Sequence, residues 1–174
     1  MPISLARAVA VIAACLAGPL LAWPAAAQSD VTWHATIAPT QVEAGTQRFA
    51  VSVTGGGEWR SGSTGLGGDV SLVYLPAASE TTPTYHVFAP ADALLVPSAF
   101  IVYHFARAGD AHTVEPYLKG GIAAIAGGFL FDTAGGVDWW LWQRAGLRLG
   151  VRDRFLTVAH PFVFIGFEAG LIVR

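Results

Sequence analysis

The run Gly135–Arg154, GGVDWWLWQRAGLRLGVRDR, constrains the fold more than any other part of the chain. It reads as two strands around a tight turn at Gln143–Arg144. In the first, Val137, Trp139 and Leu141 alternate with Asp138 and its even-numbered neighbours. In the second, Ala145, Leu147, Leu149 and Val151 alternate with Gly146, Arg148, Gly150 and Arg152. A period of two puts alternate residues on opposite faces of a strand. Here one face holds the large apolar side chains and the other holds glycine and charge. A soluble sheet buries its bulky apolar face, and the small, charged face would then meet water. A barrel in lipid reverses this: the apolar face points outward and the polar, small face lines a narrow lumen.

Composition favours the second arrangement. The chain of 174 residues is 53% hydrophobic and 13% charged, too apolar for an ordinary soluble domain of this length. Beyond the N-terminal segment no apolar run reaches the roughly 18 residues of a spanning helix. A closed sheet is the other structure that satisfies every backbone group inside a bilayer. Residues 1–27 read as a cleaved signal peptide, with Arg7 as the positive region, apolar stretches at Ala8–Ala14 and Leu16–Trp23, and Ala25-Ala26-Ala27 as the cleavage site. The barrel domain is then 28–174. Cys15 is the one cysteine, so that domain carries no thiol and no disulfide. Ile12-Ala13-Ala14-Cys15 is also lipoprotein-like, but fourteen residues make a short signal and the sequence after Cys15 stays hydrophobic.

Eight strands follow from the alternation: Val31–Ala38, Arg48–Trp59, Gly65–Pro76, Ser98–Ala106, Val114–Ile125, a sixth that starts near Phe129 and runs into the opening hairpin, that hairpin's second strand, and Phe162–Val173. The polar run Thr40–Thr46 ends the first. Ala77–Pro97, rich in proline, serine and threonine, reads as one long irregular loop. With the N-terminus in the periplasm, the connections at Glu58–Ser63, Arg107–His112 and Gln143–Arg144 fall on the periplasmic side, where such barrels keep them short. Ala77–Pro97 falls outside the cell, exposed to ligands. The expected fold is all-β, an eight-stranded antiparallel up-and-down transmembrane β-barrel.

The runs VEPYLKGGIA, GGVDWWLWQRAGLRLGVRD and the closing FEAGLIVR together resemble the small outer-membrane β-barrel proteins of Gram-negative bacteria, relatives of the transmembrane domain of the outer-membrane protein A type. The resemblance covers about Gly65 to Arg174. It implies an eight-stranded barrel with a polar, filled interior, contact with membrane lipids (lipopolysaccharide on the outer side), and passage through the barrel-insertion machinery. Most members are not enzymes. They usually close on an aromatic residue that this machinery reads, whereas this chain closes on Arg174, a departure that bears on assembly rather than on the fold.

Other chemistry is poorly supported. TGGGEWR and STGLGG lead into no helix and no Gly-Lys-Ser/Thr, so they form no phosphate cradle; glycines in a narrow barrel account for them. His34, His86, His104, His112 and His160 form no close ligand pair, so neither metal nor cofactor is expected. His86 and Asp92, with Ser79 and Ser98 nearby, are the only set suited to acyl transfer or deacylation of lipid A at the outer leaflet, and their spacing fits no motif. Trp33, Trp59, Trp139, Trp140 and Trp142 suit interfacial girdles better than a stacking surface, although Trp140 and Trp142 fall on the inward phase. Removal of 1–27 leaves nine basic against twelve acidic residues, which offers nucleic acid no basic face. The leading expectation is an outer-membrane barrel with a structural or interaction role and an unknown extracellular ligand. The alternatives are a lipid-modifying barrel enzyme and a soluble lipocalin-like carrier.

One charged set stands out. The sixth and seventh strands both turn even-numbered residues inward, so facing residues must sum to an even number and the loop must be odd. A three-residue loop, Gln143–Ala145, pairs Trp142 with Gly146. Asp138 then faces Gly150, with Arg148 and Arg152 as diagonal neighbours. Lys119 and Glu168 join from the strands on either side. Lys119, Asp138, Arg148, Arg152 and Glu168 are thus expected to form an ion network that fills the lumen, since an eight-stranded barrel is only wide enough for side chains.

Overall fold

The computed structural model describes residues 31–43, 47–81, 86–89, 91–105, 114–125, 128–156 and 162–174. Residues 1–27, and the Arg107–His112 turn with His112 and His160, lie outside them. The strands are β1 (Val31–Glu43), β2 (Gln47–Ser61), β3 (Thr64–Leu75), β4 (Ala78–Thr81), β5 (His86–Ala89), β6 (Asp92–His104), β7 (Val114–Ile125), β8 (Gly128–Trp140), β9 (Ala145–Leu156) and β10 (Phe162–Val173). Eight of them close in the order β1-β10-β9-β8-β7-β6-β3-β2, every pair antiparallel. β4 and β5 pair only with each other and form a small separate hairpin at one end.

Alternation is what makes this a barrel of the inverted kind. Ile37, Phe49, Leu66, Ile101, Leu118, Phe131, Leu149 and Phe167, one from each wall strand, are all exposed on the outside. The intervening residues point into the lumen and are buried. Each of the eight strands has a neighbour on both sides, so along the wall the ladders satisfy the backbone without water, and above Ser98 the described part of β6 is paired with β3 alone. At the end away from the β4–β5 hairpin, Ser61 pairs with Thr64 across Gly62-Ser63. Gly62 has φ 64°, the left-handed value that glycine supplies at the first position of a two-residue hairpin turn.

Four boundaries differ from the sequence reading. The Glu58–Ser63 connection narrows to Gly62-Ser63, because β2 runs on to Ser61 with β3 as its partner. Ala77–Pro97 is not one loop: β4 and β5 lie within it, and its last six residues are the start of β6, paired with β3 from Leu75↔Asp92 through Val70↔Pro97. Proline lacks an N–H but is tolerated where that side of the strand has no ladder partner. β1 runs on through Pro39 to Glu43, because Thr40 and Val42 continue the inward row and β2 supplies partners to the end. The β8–β9 register is Trp140↔Gly146 and Asp138↔Arg148. The connection therefore holds five residues, not three or two. Its parity is as expected, but Asp138 faces Arg148 directly rather than Gly150. The Trp142 N–H donates to the Ala145 carbonyl at 2.9 Å, so Leu141 and Trp142 belong to the turn. Trp142 is exposed, while Trp140 does point inward and is buried.

Candidate functional site: the lumen

The lumen is filled in two different ways along its length. Toward the hairpin end, Val42, Ala50, Val73, Leu75, Val96, Ala123, Leu130 and Phe164 pack into an apolar cluster, with Leu94, Ile125 and Leu156 against it. Below it the inward positions carry charge. Among the described residues the lumen holds six carboxylates (Glu58, Asp69, Glu115, Asp132, Asp138, Glu168) and five buried cations (Arg60, Lys119, Arg148, Arg152, Arg154). Arg174, partly exposed at the far mouth, brings the lysine and arginine cations to six, one for each carboxylate.

Asp69 of β3 is the hub of the middle layer. Lys119 Nζ donates to its Oδ2 at 3.1 Å and Arg152 Nη2 to its Oδ1 at 2.9 Å. The Ser98 hydroxyl donates to Oδ1 at 2.5 Å, and His34 Nε2 lies 3.7 Å from Oδ2. Arg152 also binds Asp132 through Nε at 2.7 Å and through Nη2, and reaches Glu168 at 3.4 Å. Arg154 donates to the Ser71 hydroxyl at 2.7 Å and lies 3.5 Å from Asp132. One carboxylate of β3 shared by the cations of two other strands ties β3, β7 and β9 together across the lumen.

The next layer is built on the bidentate pair of Arg148 with Asp138, Nε to Oδ1 at 2.7 Å and Nη2 to Oδ2 at 2.8 Å. The two parallel bonds of a guanidinium fork are the strongest form of such a pair. Glu58 sits 3.5 Å from Arg148 and bonds His104 Nε2 at 2.7 Å. The guanidinium also lies over the Tyr117 ring, 4.6 Å from its centroid. Glycine makes that room: a Cβ on Gly150 would stand 2.6 Å from the Tyr117 hydroxyl. At the far mouth Glu115 accepts from Arg60 at 2.9 Å and from Arg174 at 2.8 Å, and Arg174 stacks 3.8 Å over the Trp140 ring.

The five sequence-selected residues all face the lumen, but they divide between two layers. Lys119, Arg152 and Glu168 meet around Asp69 and Asp132, whereas Asp138 and Arg148 pair one layer below. Asp69, Asp132, Glu58, Arg154 and the two histidines were missed. The signal existed in the period of two: in Gly65–Pro76, Asp69 and Ser71 alternate with the apolar Leu66, Val70 and Leu72, and Asp132, Arg154, His34 and His104 likewise fall on the phase opposite the bulky apolar residues of their strands. Of the residues weighed for acyl transfer, Asp92 accepts the N–H of its neighbour Ala93 at 2.8 Å. Ser98 is held between Asp69 and Arg152. A space among the lumen charges, lined by Thr40, Ser52, Arg152, Arg154 and Glu168, is about 10 Å³, room for about one water.

The sequence matches no protein-family model, and no curated relative matches it. Solved structures do match the fold. The crystal structure of Neisserial surface protein A aligns with 83% of this chain and 97% of its own at 15% identity, with a TM-score of 0.63. Ail, the attachment invasion locus protein of Yersinia pestis, aligns with 83% of this chain and 99% of its own at 8% identity, with a TM-score of 0.50. The chain therefore shares the closed, eight-stranded, up-and-down β-barrel fold of these outer-membrane proteins.

Proposed function

We propose that the protein is an outer-membrane barrel of a Gram-negative cell, exported by residues 1–27 and assembled by the barrel-insertion machinery. Its role is structural or one of interaction rather than transport. The side-chain-filled lumen is the observation that carries this reading: among the described residues, paired charges occupy one half, with a space of about 10 Å³ between them, and an apolar cluster fills the other, which favours a plugged interior over an open pore. The exposed apolar belt supplies the contact with membrane lipids, lipopolysaccharide lying on the outer side. The β4–β5 hairpin end faces outward and is the surface on which an extracellular ligand would be met, since connections positioned by a rigid wall carry most recognition. The purified protein in planar bilayers should show no steady conductance, and protease added to intact cells should cut between Leu75 and Asp92 and leave the wall intact. A stable open pore, or recovery of the protein as a soluble periplasmic species, would sink the reading.

A further inference from the structure

The seams between neighbouring strands are unequal. Most carry ten or more residue pairs, but β6 and β7 share seven, from His104↔Tyr117 to Ser98↔Ala123. Above Ser98, β6 continues to Asp92 along β3, and β7 continues to Ile125 along β8. No pair joins the two strands there among the described residues. Pro97 is where the parting begins, and it has no N–H to give the next bond. A groove of about 290 Å³ lies on the outer face at the parting: the last paired rows, Ala99↔Ile122 and Ser98↔Ala123, form its lower end, Pro97 and Ala124 flank the parting itself, and Phe129 lies beyond.

Two features say what occupies it. The groove is continuous with the lipid-facing belt: Leu95, Ile101, Ile122 and Phe129 around it are all more than half exposed. Its floor belongs to the lumen's apolar half, because Ala123 is part of that buried cluster. A cleft that opens on hydrocarbon and backs onto hydrocarbon has no use for water, and a gap left empty forfeits the contacts of its lining. The seam between β1 and β10 is the internal control. Pro39 interrupts it in the same manner, with pairs at Ile37↔Ala169 and Thr40↔Gly166 and none between. There the ladder resumes.

We infer that the β6–β7 seam is a lipid-binding site that takes one acyl chain of an outer-leaflet lipid between Ala99 and Ala124. The inference rests on the membrane reading above. The site is built for a linear apolar chain and lacks the charged group that would select a headgroup. Bound lipid would complete the wall where the strands do not.

The test uses the full barrel in vesicles of phosphatidylethanolamine and phosphatidylglycerol, with a small fraction of phosphatidylcholine bearing a diazirine within one acyl chain. Photoadducts are mapped by peptide mass spectrometry. Adducts at 97–99 and 122–124 should exceed those at Ile37 and Phe167 on the control seam by about fivefold, equivalent to about 1 kcal/mol of preference. Pro97→Val restores an N–H toward Ala124, and Ala124→Leu fills the groove; each should bring the labelling down to the control level. The second variant keeps the test open should the first not assemble. Equal labelling of both seams would overturn the inference, as would enrichment that survives both variants. So would an Ala99→Cys barrel that forms disulfide-linked pairs in the vesicles, which would make the occupant a second copy. Absence of adducts anywhere on the belt would instead overturn the membrane reading itself.

Discussion

The two halves of the lumen solve one problem with opposite chemistry. Both fill the interior of the same wall, and both are buried to a similar degree. Near the hairpin, Val73, Val96, Leu130 and Phe164 need only fit, and each contact is replaceable by another of similar volume. Around Asp69 and Asp138 each group depends on named partners, because a buried charge without its partner costs several kcal/mol. The apolar half should therefore respond to substitution in proportion to volume lost, and the ionic half in proportion to charges left alone.

That contrast can be broken most directly at Asp69. Asp69→Ala takes from Lys119 its hydrogen-bonded carboxylate, leaves Arg152 with Asp132 and Glu168 only, and removes the acceptor of the Ser98 hydroxyl, so a loss of about 4–5 kcal/mol is expected, toward the upper end for breaking a buried pair. Guanidinium unfolding of the refolded barrel measures it. Asp138→Ala leaves Arg148 with Glu58 alone at 3.5 Å, and about 3–4 kcal/mol is expected from the same assay. In the apolar half, Leu130→Ala should cost about 2–4 kcal/mol through the cavity it opens. Leu130→Met, which keeps the volume, should cost less than about 1.5 kcal/mol. No comparable rescue exists for Asp69. The sharpest check removes both members of one pair. Asp138→Leu with Arg148→Leu removes both charges of the bidentate pair and leaves Glu58 its bond to His104, so the double variant should lie nearer the parent than Asp138→Ala does. If the double variant were as unstable as the single, dependence on partners would not be what distinguishes the halves.

The same contrast explains what the sequence could disclose. The wall was readable because alternation is local: the phase at Trp139, Leu149 or Phe167 needs no knowledge of any neighbour. So was the inward placement of Lys119, Asp138, Arg148, Arg152 and Glu168. Partnership was less accessible, since it depends on register. A shift of two residues in the β8–β9 turn moved Trp142 out of the inward row, kept the strand side chains on their expected faces and still changed the partner of Asp138 from Gly150 to Arg148. Leu141 and Trp142 look like strand residues by composition, and only the hydrogen bond from Trp142 to Ala145 makes them turn. Asp69 lies on β3, far in sequence from Lys119 and Arg152, and only closure of the barrel brings them together. The start of β6 was hidden by Pro97, a residue that argues against a strand when the unpaired side of that strand cannot be seen.

The smallest expected effect separates dry ion pairs from wet ones within the charged half. Glu115 is fully buried, but of its two cations Arg60 is enclosed whereas the Arg174 side chain is 30% exposed at the mouth. Arg174→Gln removes one of two charges on Glu115 and the cation over Trp140, while the pair with Arg60 survives. About 1 kcal/mol is expected, the scale of a partly solvated cation–π contact and ion pair. Exposed charges are screened by salt and buried ones hardly at all. The Arg174→Gln loss, measured by urea unfolding, should thus shrink between low and high sodium chloride, while the Asp138→Ala loss should not move. An Arg174 effect as large and as salt-independent as that of Asp138 would show that the mouth is as dry as the layers above it.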